Sequence, residues 1–545
     1  MILTSHNTSW HDGGVALWTE DTGLVALASE RVGDRFKHSW DSSLAYEYLK
    51  ERFPHLPFGS QDDLFVDSSA GLQDHSHHLY HAASAAFASG FDDAAVLVID
   101  GQGPAGDHLS CTTLWTFSKA HGLRMVEDVH PEYESPFAGR SAGHFYTAVG
   151  ALAGMRDLYC EGKTMALAAY GNPSSFSREF ANYGAVGQDG LYDIDPLFTT
   201  AILAHTLGPR LFGWPSPTDQ QAQLWERINA LRESSHEQWP TRDDANIAFA
   251  GQRLFESVLL GLARRVQQAT HHSRLCLAGG GALNCVANGK LVAAGIFEDV
   301  YVVPCCADDG QALGKLYLEL HRRQLPVSGL ADAYVGPEYS EPEIRSAVSM
   351  FLDQHETKFL VRELDTNATA TEAAKLIADG NVIGLFRGRS ELGPRALGHR
   401  SILANPCLAS MRARLNAIKG REEFRPIAPM IDLREAVKLF DVSGHHSRFM
   451  TFTHTAKAGT RDRLPSAVHV DGSARLQTVA SDGDPFLRIL LERVATHYGT
   501  RAVLNTSFNG KNEPLVETPS DALNSFETLG LDALVLESCI ITKAA

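Results

Sequence analysis

No stretch of the sequence approaches the roughly 18 consecutive apolar residues needed to cross a bilayer, so no membrane span is expected. The first residues, MILTSHNTSWHDGG, lack a charged segment followed by an apolar core, so no secretory signal is expected either. Cysteine is scarce: eight in 545 residues, scattered, with Cys305 and Cys306 adjacent and no CxxC pair. That excludes a disulfide or zinc-finger framework and points to a reducing cytoplasm. Basic residues are in deficit, 48 against 65 acidic ones, and the net charge of −17 argues against nucleic acid as the main partner. There is no internal repeat at a period of roughly 20–50 residues and no low-complexity tract. What is present, 44% hydrophobic and 21% charged, is ordinary for a globular protein, and the length calls for two or three domains.

The stretch HSHHLYHAASAAFASGFDDAAVLVIDGQG, from His75 to Gly103, reads as an alanine-rich helix, a turn at Gly90 and a buried strand. His77 and His81 are four residues apart and share a helix face, a separation at which two imidazoles can hold one divalent ion. Asp100 is expected where the strand's carboxyl end meets a loop. A second strand, VYVVP, leads to Asp308 and Asp309, a natural further carboxylate for the same group. Two His and two Asp suit Fe(II), Mn(II) or Zn(II). The alternative is a pair of plain helix-face histidines in a chain with 24 of them.

The N-terminal 32 residues read as strand, polar loop, strand, turn and strand. His11 and Asp12 are the only strongly titratable pair in the loop Asn7–Gly14. Further on, YCEGKTMALAAYG couples Lys163 to a small-residue helix, explained by close packing or by approach to a ligand. Residues 172–245 look loop-rich, a possible setting for a substrate-facing insertion. RLCLAGGGALNCVANGKL then runs a strand into Gly279, Gly280 and Gly281 and on to a helix. Glycine lets backbone N–H groups approach an anion, so this suits nucleotide binding; a tight structural turn is the alternative. The spacing is neither a Rossmann nor a P-loop pattern.

A connection is expected at about 330–365, and a second α/β pattern from Lys358. In it Arg387, Arg389, Arg395, Arg400, Lys419, Arg421, Arg425 and Arg475 gather around glycines and prolines. In an acidic chain, basic residues concentrated in loops point to an anion pocket.

The segments GRSELGPRALGHRSIL, KGREEFRPIAP, DGSARLQTV and NTSFNGKNEP resemble the signature of the O-carbamoyltransferase family, which includes the nodulation-factor, cephamycin-type and tobramycin carbamoyltransferases. HHLYHAASA, VLVIDGQG, EGKTMALAAYG, GGGALN and ADDGQALG fit the same family over the N-terminal half. The resemblance implies an α/β protein of two modules. Residues 1–355 would be an actin-like (ribonuclease H-like, ASKHA) ATPase-type module that binds metal and nucleotide and transfers the carbamoyl group. Residues 356–545 would be a twisted α/β module like the threonylcarbamoyl-AMP synthase (YrdC-like) that forms carbamoyl-adenylate from carbamoyl phosphate and ATP.

The resemblance also implies roles. Arg395, Lys419, Arg425, Arg475, Asn505 and Ser507 would bind carbamoyl phosphate. Lys163, Gly279, Gly280, Gly281 and Asn284 would bind nucleotide. His77, His81, Asp100 and Asp308 would hold the metal, with Asp308 preferred to Asp309 for its gap to Gly314. Fe(II) is the expected ion, with Mn or Zn as alternatives and Mg accompanying ATP. His11, oriented by Asp12, would be the base for an acceptor hydroxyl. The acceptor would be a small molecule of secondary-metabolite type, met by the loop Asn7–Trp10 and the 172–245 region, and the protein a homodimer. Two departures stand out: DGQGPAGD lacks the acidic residue expected after DGxG, and HDGGVAL has Gly-Gly where Ala or Ser is usual. The other readings are a fused tRNA threonylcarbamoyladenosine-type enzyme, a hydrogenase-maturation carbamoyltransferase and a non-enzymatic metal- and nucleotide-binding regulator.

Overall fold

The computed structural model of the chain describes residues 2–7, 12–32, 41–58, 63–66, 77–105, 107–132, 139–155, 159–207, 216–233, 238–355, 358–442 and 447–544. It is a mixed α/β protein. Its contacts divide it into two compact units: Met1–Gly71 with Asp308–Glu319 and Leu330–Ala545, and Leu72–Ala307 with Leu320–Gly329. This is a different cut from the 355/356 boundary, because the N-terminal strands fold in one unit with the C-terminal half. No helix among the described residues is long and apolar enough to cross a membrane.

The unit centred on residues 72–307 is built on a five-stranded sheet. Its order is Asp299–Val302, Arg274–Ala278, Asp93–Ala105, His108–Ser118 and Gly122–Val129. The first three run parallel and the last two antiparallel. Ala94 to Ile99 form an unbroken buried run, as expected of a strand covered on both faces. Helix His77–Ala88 packs against this strand, and its alanines at 82, 83, 85 and 86 are fully buried. The strand does not end at Asp100. It continues to Ala105, with a break in register between Ile99 and Gly103. Asp100 therefore sits at a bulge, a distortion that re-aims a side chain out of the ladder.

Residues 172–245 are also more regular than their composition indicates. They hold helices Ser175–Phe180, Pro196–Thr206 and Asp219–Asn229 and the hairpin Gly184–Val186/Tyr192–Ile194. Phe180 packs edge-on and Tyr183 tilted against Phe198, and Phe180 and Phe198 both pack against Phe145 of helix Ala142–Leu152. An aromatic core, not a helical repeat of apolar residues, holds these short pieces.

The other unit contains two larger sheets. Strands Gly23–Ala28, Gly14–Thr19 and Ile2–Asn7 form an antiparallel meander, with Asp63–Val66 parallel to the last. The eight-stranded sheet has the order Phe359–Glu363, Cys539–Lys543, Ala533–Leu536, Ile383–Phe386, Arg400–Ala404, Ala502–Ser507, Ala428–Asp432 and Gln477–Val479. Helices Thr366–Ala378 and Pro485–Tyr498 cover one face through Ala370, Ala374, Leu487 and Leu491. The expected connection at 330–365 contains helix Glu341–Gln354, and its Ile344, Val348 and Phe351 belong to the apolar core of the sheet's other face.

The two sheets of this unit meet at a buried polar layer. The Ala26 N–H donates to the Val335 carbonyl at 2.9 Å. Arg31 and Glu517, 2% and 0% exposed, approach to 3.8 Å. Burial pushes the Glu517 carboxyl up to about 7, although Arg400 and Arg31 pull the other way. Between pH 4.5 and 7 the folded chain thus holds a proton that the unfolded chain has released. Stability falls as pH rises through that window, by at most about 1.4 kcal/mol per pH unit. Glu517→Gln should flatten this part of a thermal-unfolding pH profile, and an unchanged slope would exclude Glu517 as its source.

Candidate functional site

In the unit centred on residues 72–307, one turn of helix brings His77 and His81 to the bulged Asp100. His77 Nε2 lies 2.9 Å from Asp100 Oδ2, His81 Nε2 is 3.2 Å from His77 Nε2, and His81 Nε2 is 3.6 Å from Asp100 Oδ2. Neighbouring ligands about 2.1 Å from one ion at right angles are about 3.0 Å apart, so this spacing fits a single N/O-coordinated cation. Burial would raise the Asp100 carboxyl, but hydrogen bonds from His77 and His81 hold it well below the usual carboxylate range. Its other oxygen accepts the Gly280 N–H at 2.9 Å, which fixes the carboxylate. Gly103 leaves room for the His77 ring, since a Cβ there would lie 2.1 Å from it. His78 points elsewhere and hydrogen-bonds Thr113 Oγ1 at 3.0 Å.

The three glycines have a packing explanation. Gly279 has φ +86°, and a Cβ on it would lie 2.3 Å from the Ile99 carbonyl oxygen. A Cβ on Gly281 would lie 2.7 Å from the Ile99 side chain. Gly280 presents its N–H to the Asp100 carboxylate. Asn284 is buried: its Oδ1 accepts the Ala287 N–H at 3.0 Å, capping helix Cys285–Ala293, and its Nδ2 donates to Gln252 Oε1 at 3.0 Å. Lys163 is half-buried on helix Glu161–Ala168.

The remaining expected residues of the transfer site fall in the other unit. His11, together with Thr8, Ser9 and Trp10 of the expected acceptor loop, lies outside the described residues. Asp12 is half-buried. Burial, then the Asp12 and Glu30 carboxylates, push Asp309 up to about 8. Asp308 is buried; its Oδ1 accepts from Gln311 Nε2 at 2.8 Å and its carbonyl from Asn7 Nδ2 at 3.0 Å.

The expected anion-binding residues of the C-terminal half do come together. Lys419 is 1% exposed, and its ammonium donates to the Ser507 carbonyl and, at 2.8 Å each, to the carbonyl and Oδ1 of Asn509. Ser507 Oγ donates to Asn509 Oδ1 at 2.6 Å. Arg421 reaches Thr506 Oγ1 at 3.2 Å and Ser507 Oγ at 3.3 Å. Burial first, then Arg425, Arg475 and Arg395, push the Arg421 guanidinium down to about 9. Arg425 is depressed too, by burial and by Arg475, against the pull of Glu422. Four guanidinium groups thus crowd one place, with Glu422 the carboxylate set against them. Asn505 Nδ2 donates to Gln477 Oε1 at 2.7 Å and to the Ala396 carbonyl at 3.2 Å. Its Oδ1 and the Arg475 Nε are buried without a hydrogen-bond partner among the described residues.

Asn509 and Gln477 have no role that the sequence assigns, and Arg421 has only a place in the basic cluster. The signal is present as paired spacing: Lys-x-Arg at 419 and 421, and Ser-x-Asn at 507 and 509, where each member of one pair meets a member of the other.

Comparison with known proteins places the chain in a family. The Carbamoyltransferase N-terminus profile matches residues 61–316 and the Carbamoyltransferase C-terminus profile residues 374–543. The uncharacterized protein sll1178 of Synechocystis sp. is 32% identical over 501 residues, covering 86% of this chain and 76% of that protein. The nodulation protein NolO of Bradyrhizobium diazoefficiens is 32% identical over 474 residues, 86% of this chain and 79% of its own. The 3'-hydroxymethylcephem-O-carbamoyltransferase of Amycolatopsis lactamdurans is 32% identical over 291 residues, 53% of this chain and 52% of its own. The chain belongs to the carbamoyltransferase family and is an enzyme of that class.

Proposed function

We propose that the chain is an ATP-dependent O-carbamoyltransferase that works at two sites. The observation that carries this reading is the cluster of Arg421, Arg425, Arg475 and Arg395 beside the Thr506 and Ser507 hydroxyls, with Arg475 Nε buried without a hydrogen-bond partner among the described residues, a charge that an incoming dianion would neutralise. Carbamoyl phosphate is such an anion. Arg395, Arg421, Arg425 and Arg475 take its phosphate, and the Oδ1 of Asn505 accepts from its amino group. Lys419 holds the Ser507–Asn509 loop in shape and gives it positive charge. The bond from the carbamoyl carbon to the phosphate oxygen is replaced, with one water consumed and phosphate released. The carbamate oxygen then attacks the α-phosphorus of Mg-bound ATP, giving carbamoyl-adenylate and pyrophosphate. A module of this activity corresponds to the YrdC-like reading of residues 356–545.

In the second step an acceptor hydroxyl attacks the carbamoyl carbon and AMP leaves. The actin-like reading of residues 1–355 assigns this step to that module, with nucleotide held near Lys163, Gly279–Gly281 and Asn284. His77, His81 and Asp100, with Asp308 as a fourth ligand, would hold a divalent ion, Fe(II) before Mn or Zn. When bound, that ion would grip and polarise the adenylate phosphate. His11 takes the hydroxyl proton, and Asp12 orients it. The acceptor is a small-molecule alcohol, as the name of the cephem-carbamoylating relative states for that protein. The setting is cytoplasmic and the working form a homodimer.

The test is carbamoyl-phosphate-dependent ATP–pyrophosphate exchange by the purified chain. Exchange that is the same with and without carbamoyl phosphate would overturn the reading. His11 can be tested separately. His11→Ala should slow transfer from supplied carbamoyl-adenylate by about 10²–10⁴-fold and leave exchange intact. Normal transfer by that variant would remove His11 from the mechanism.

A further inference from the structure

Residues Glu391–Arg400 form the loop that presents Arg395, and they are folded around one buried carboxylate. Glu391 Oε1 accepts the N–H groups of Leu397, His399 and Arg400 at 2.7, 2.9 and 3.1 Å. Burial alone would raise this carboxyl; the His399, Arg400 and Arg31 charges hold it below its ordinary value. The outer side of the loop is held from a distant part of the sequence. Arg31 directly follows the N-terminal meander and is 2% exposed. Its Nη2 donates to the Gly393 carbonyl at 2.8 Å, two residues from Arg395. Beside it, Arg389 Nη2 donates to the carbonyls of Leu24 at 2.8 Å and Val335 at 2.7 Å, and Nε donates to Gly336 at 2.8 Å. The loop's inner side is tied by Asn505 to the Ala396 carbonyl.

The Arg395 loop is therefore clamped between the C-terminal sheet and the N-terminal meander. We infer that Arg31 is a positioning residue for carbamoyl phosphate binding: by holding Gly393 it sets Arg395 against the Arg421 cluster. The N-terminal strands are then a working part of the adenylate-forming site, although some 360 residues of sequence lie between Arg31 and Arg395. Neither local sequence pattern nor the motif boundaries place Arg31 there. The inference rests on the proposed role of the Arg395–Arg421 cluster in binding carbamoyl phosphate.

The test uses the full chain with Arg31→Met and Arg31→Lys. Losing a charge-assisted bond to the loop should raise the KM for carbamoyl phosphate in the exchange reaction by roughly 10- to 100-fold. The KM for ATP and the rate of transfer from supplied carbamoyl-adenylate should stay close to wild type. Arg31→Lys, which can still donate to Gly393, should recover part of the loss. Without any substrate, hydrogen exchange of the Leu397, His399 and Arg400 amides should speed up in Arg31→Met, with helix His77–Ala88 unchanged. Faster exchange throughout the chain would mean global destabilisation, and the Arg31→Lys kinetics would then decide. An unchanged KM with unchanged loop exchange would overturn the inference. A wild-type chain with no carbamoyl-phosphate-dependent exchange would instead overturn the proposed reaction; the loop amides would still show whether Arg31 holds Gly393.

Discussion

Arg421→Met should reduce carbamoyl-phosphate-dependent ATP–pyrophosphate exchange by about 10²–10³-fold, the usual effect of removing one preorganised donor from a developing anion. Methionine keeps much of the buried volume, so the loss would come from charge and hydrogen bonding more than from a cavity. Arg421 is the sharpest member to test because its guanidinium carries the repulsion of Arg425, Arg475 and Arg395 and also binds the Thr506 and Ser507 hydroxyls. Without a bound anion, burial of this charge first and then the repulsion around it are expected to count against the fold. The same substitution should therefore raise the thermal midpoint of the ligand-free chain while removing its stabilisation by carbamoyl phosphate. Such opposite effects distinguish a binding cluster from structural ion pairs, whose loss lowers stability in both states. Arg425→Ala should act in the same direction on exchange. Transfer from supplied carbamoyl-adenylate should persist in both variants. If it is lost along with exchange, the division between two sites is wrong for these residues.

The parts of the molecule legible from sequence are those governed by neighbours in the chain. Helix His77–Ala88 follows from alanine content, and the imidazoles at i and i+4 meet because helix geometry makes them. The meander Ile2–Ala28 follows from short apolar strands separated by turn residues. The basic loops of the C-terminal half stand out against an acidic background. Other features depend on contacts that no local pattern encodes. The bulge at Asp100 arises from pairing with strand His108–Ser118, where the register breaks. Gly279 and Gly281 read from sequence as an anion cradle; that the strand carrying Ile99 also requires them, by close approach, is something no local pattern encodes. The pairing of Arg31 with Gly393 joins parts of the chain that only tertiary folding brings together. Lys419 reads from sequence as a ligand contact; that its buried ammonium also donates to the carbonyls of Ser507 and Asn509 is visible only in the fold.

The second large effect concerns metal. The purified wild-type chain should bind about one divalent ion through its N/O ligands, with Fe(II) the expected occupant. His81→Ala should lose it almost completely, since the imidazole is fully buried beside His77 and Asp100 and alanine offers no ligand in its place. Asp100→Asn should weaken binding as well. It removes the charge and leaves one acceptor oxygen where the carboxylate uses two, one for the Gly280 N–H and one facing the histidines. His78→Asn is the informative control, because His78 belongs to the same helix but faces Thr113. It should keep its full metal content. Elemental analysis and transfer from supplied carbamoyl-adenylate should fall together in His81→Ala and Asp100→Asn, while carbamoyl-phosphate-dependent exchange continues. Full metal content in His81→Ala would exclude this trio as the binding site. Metal loss with undiminished transfer would keep the site but remove it from the chemistry. The ligand spacing of 2.9 and 3.2 Å around His77 is what a single cation would span, and this makes the first of these outcomes the decisive one.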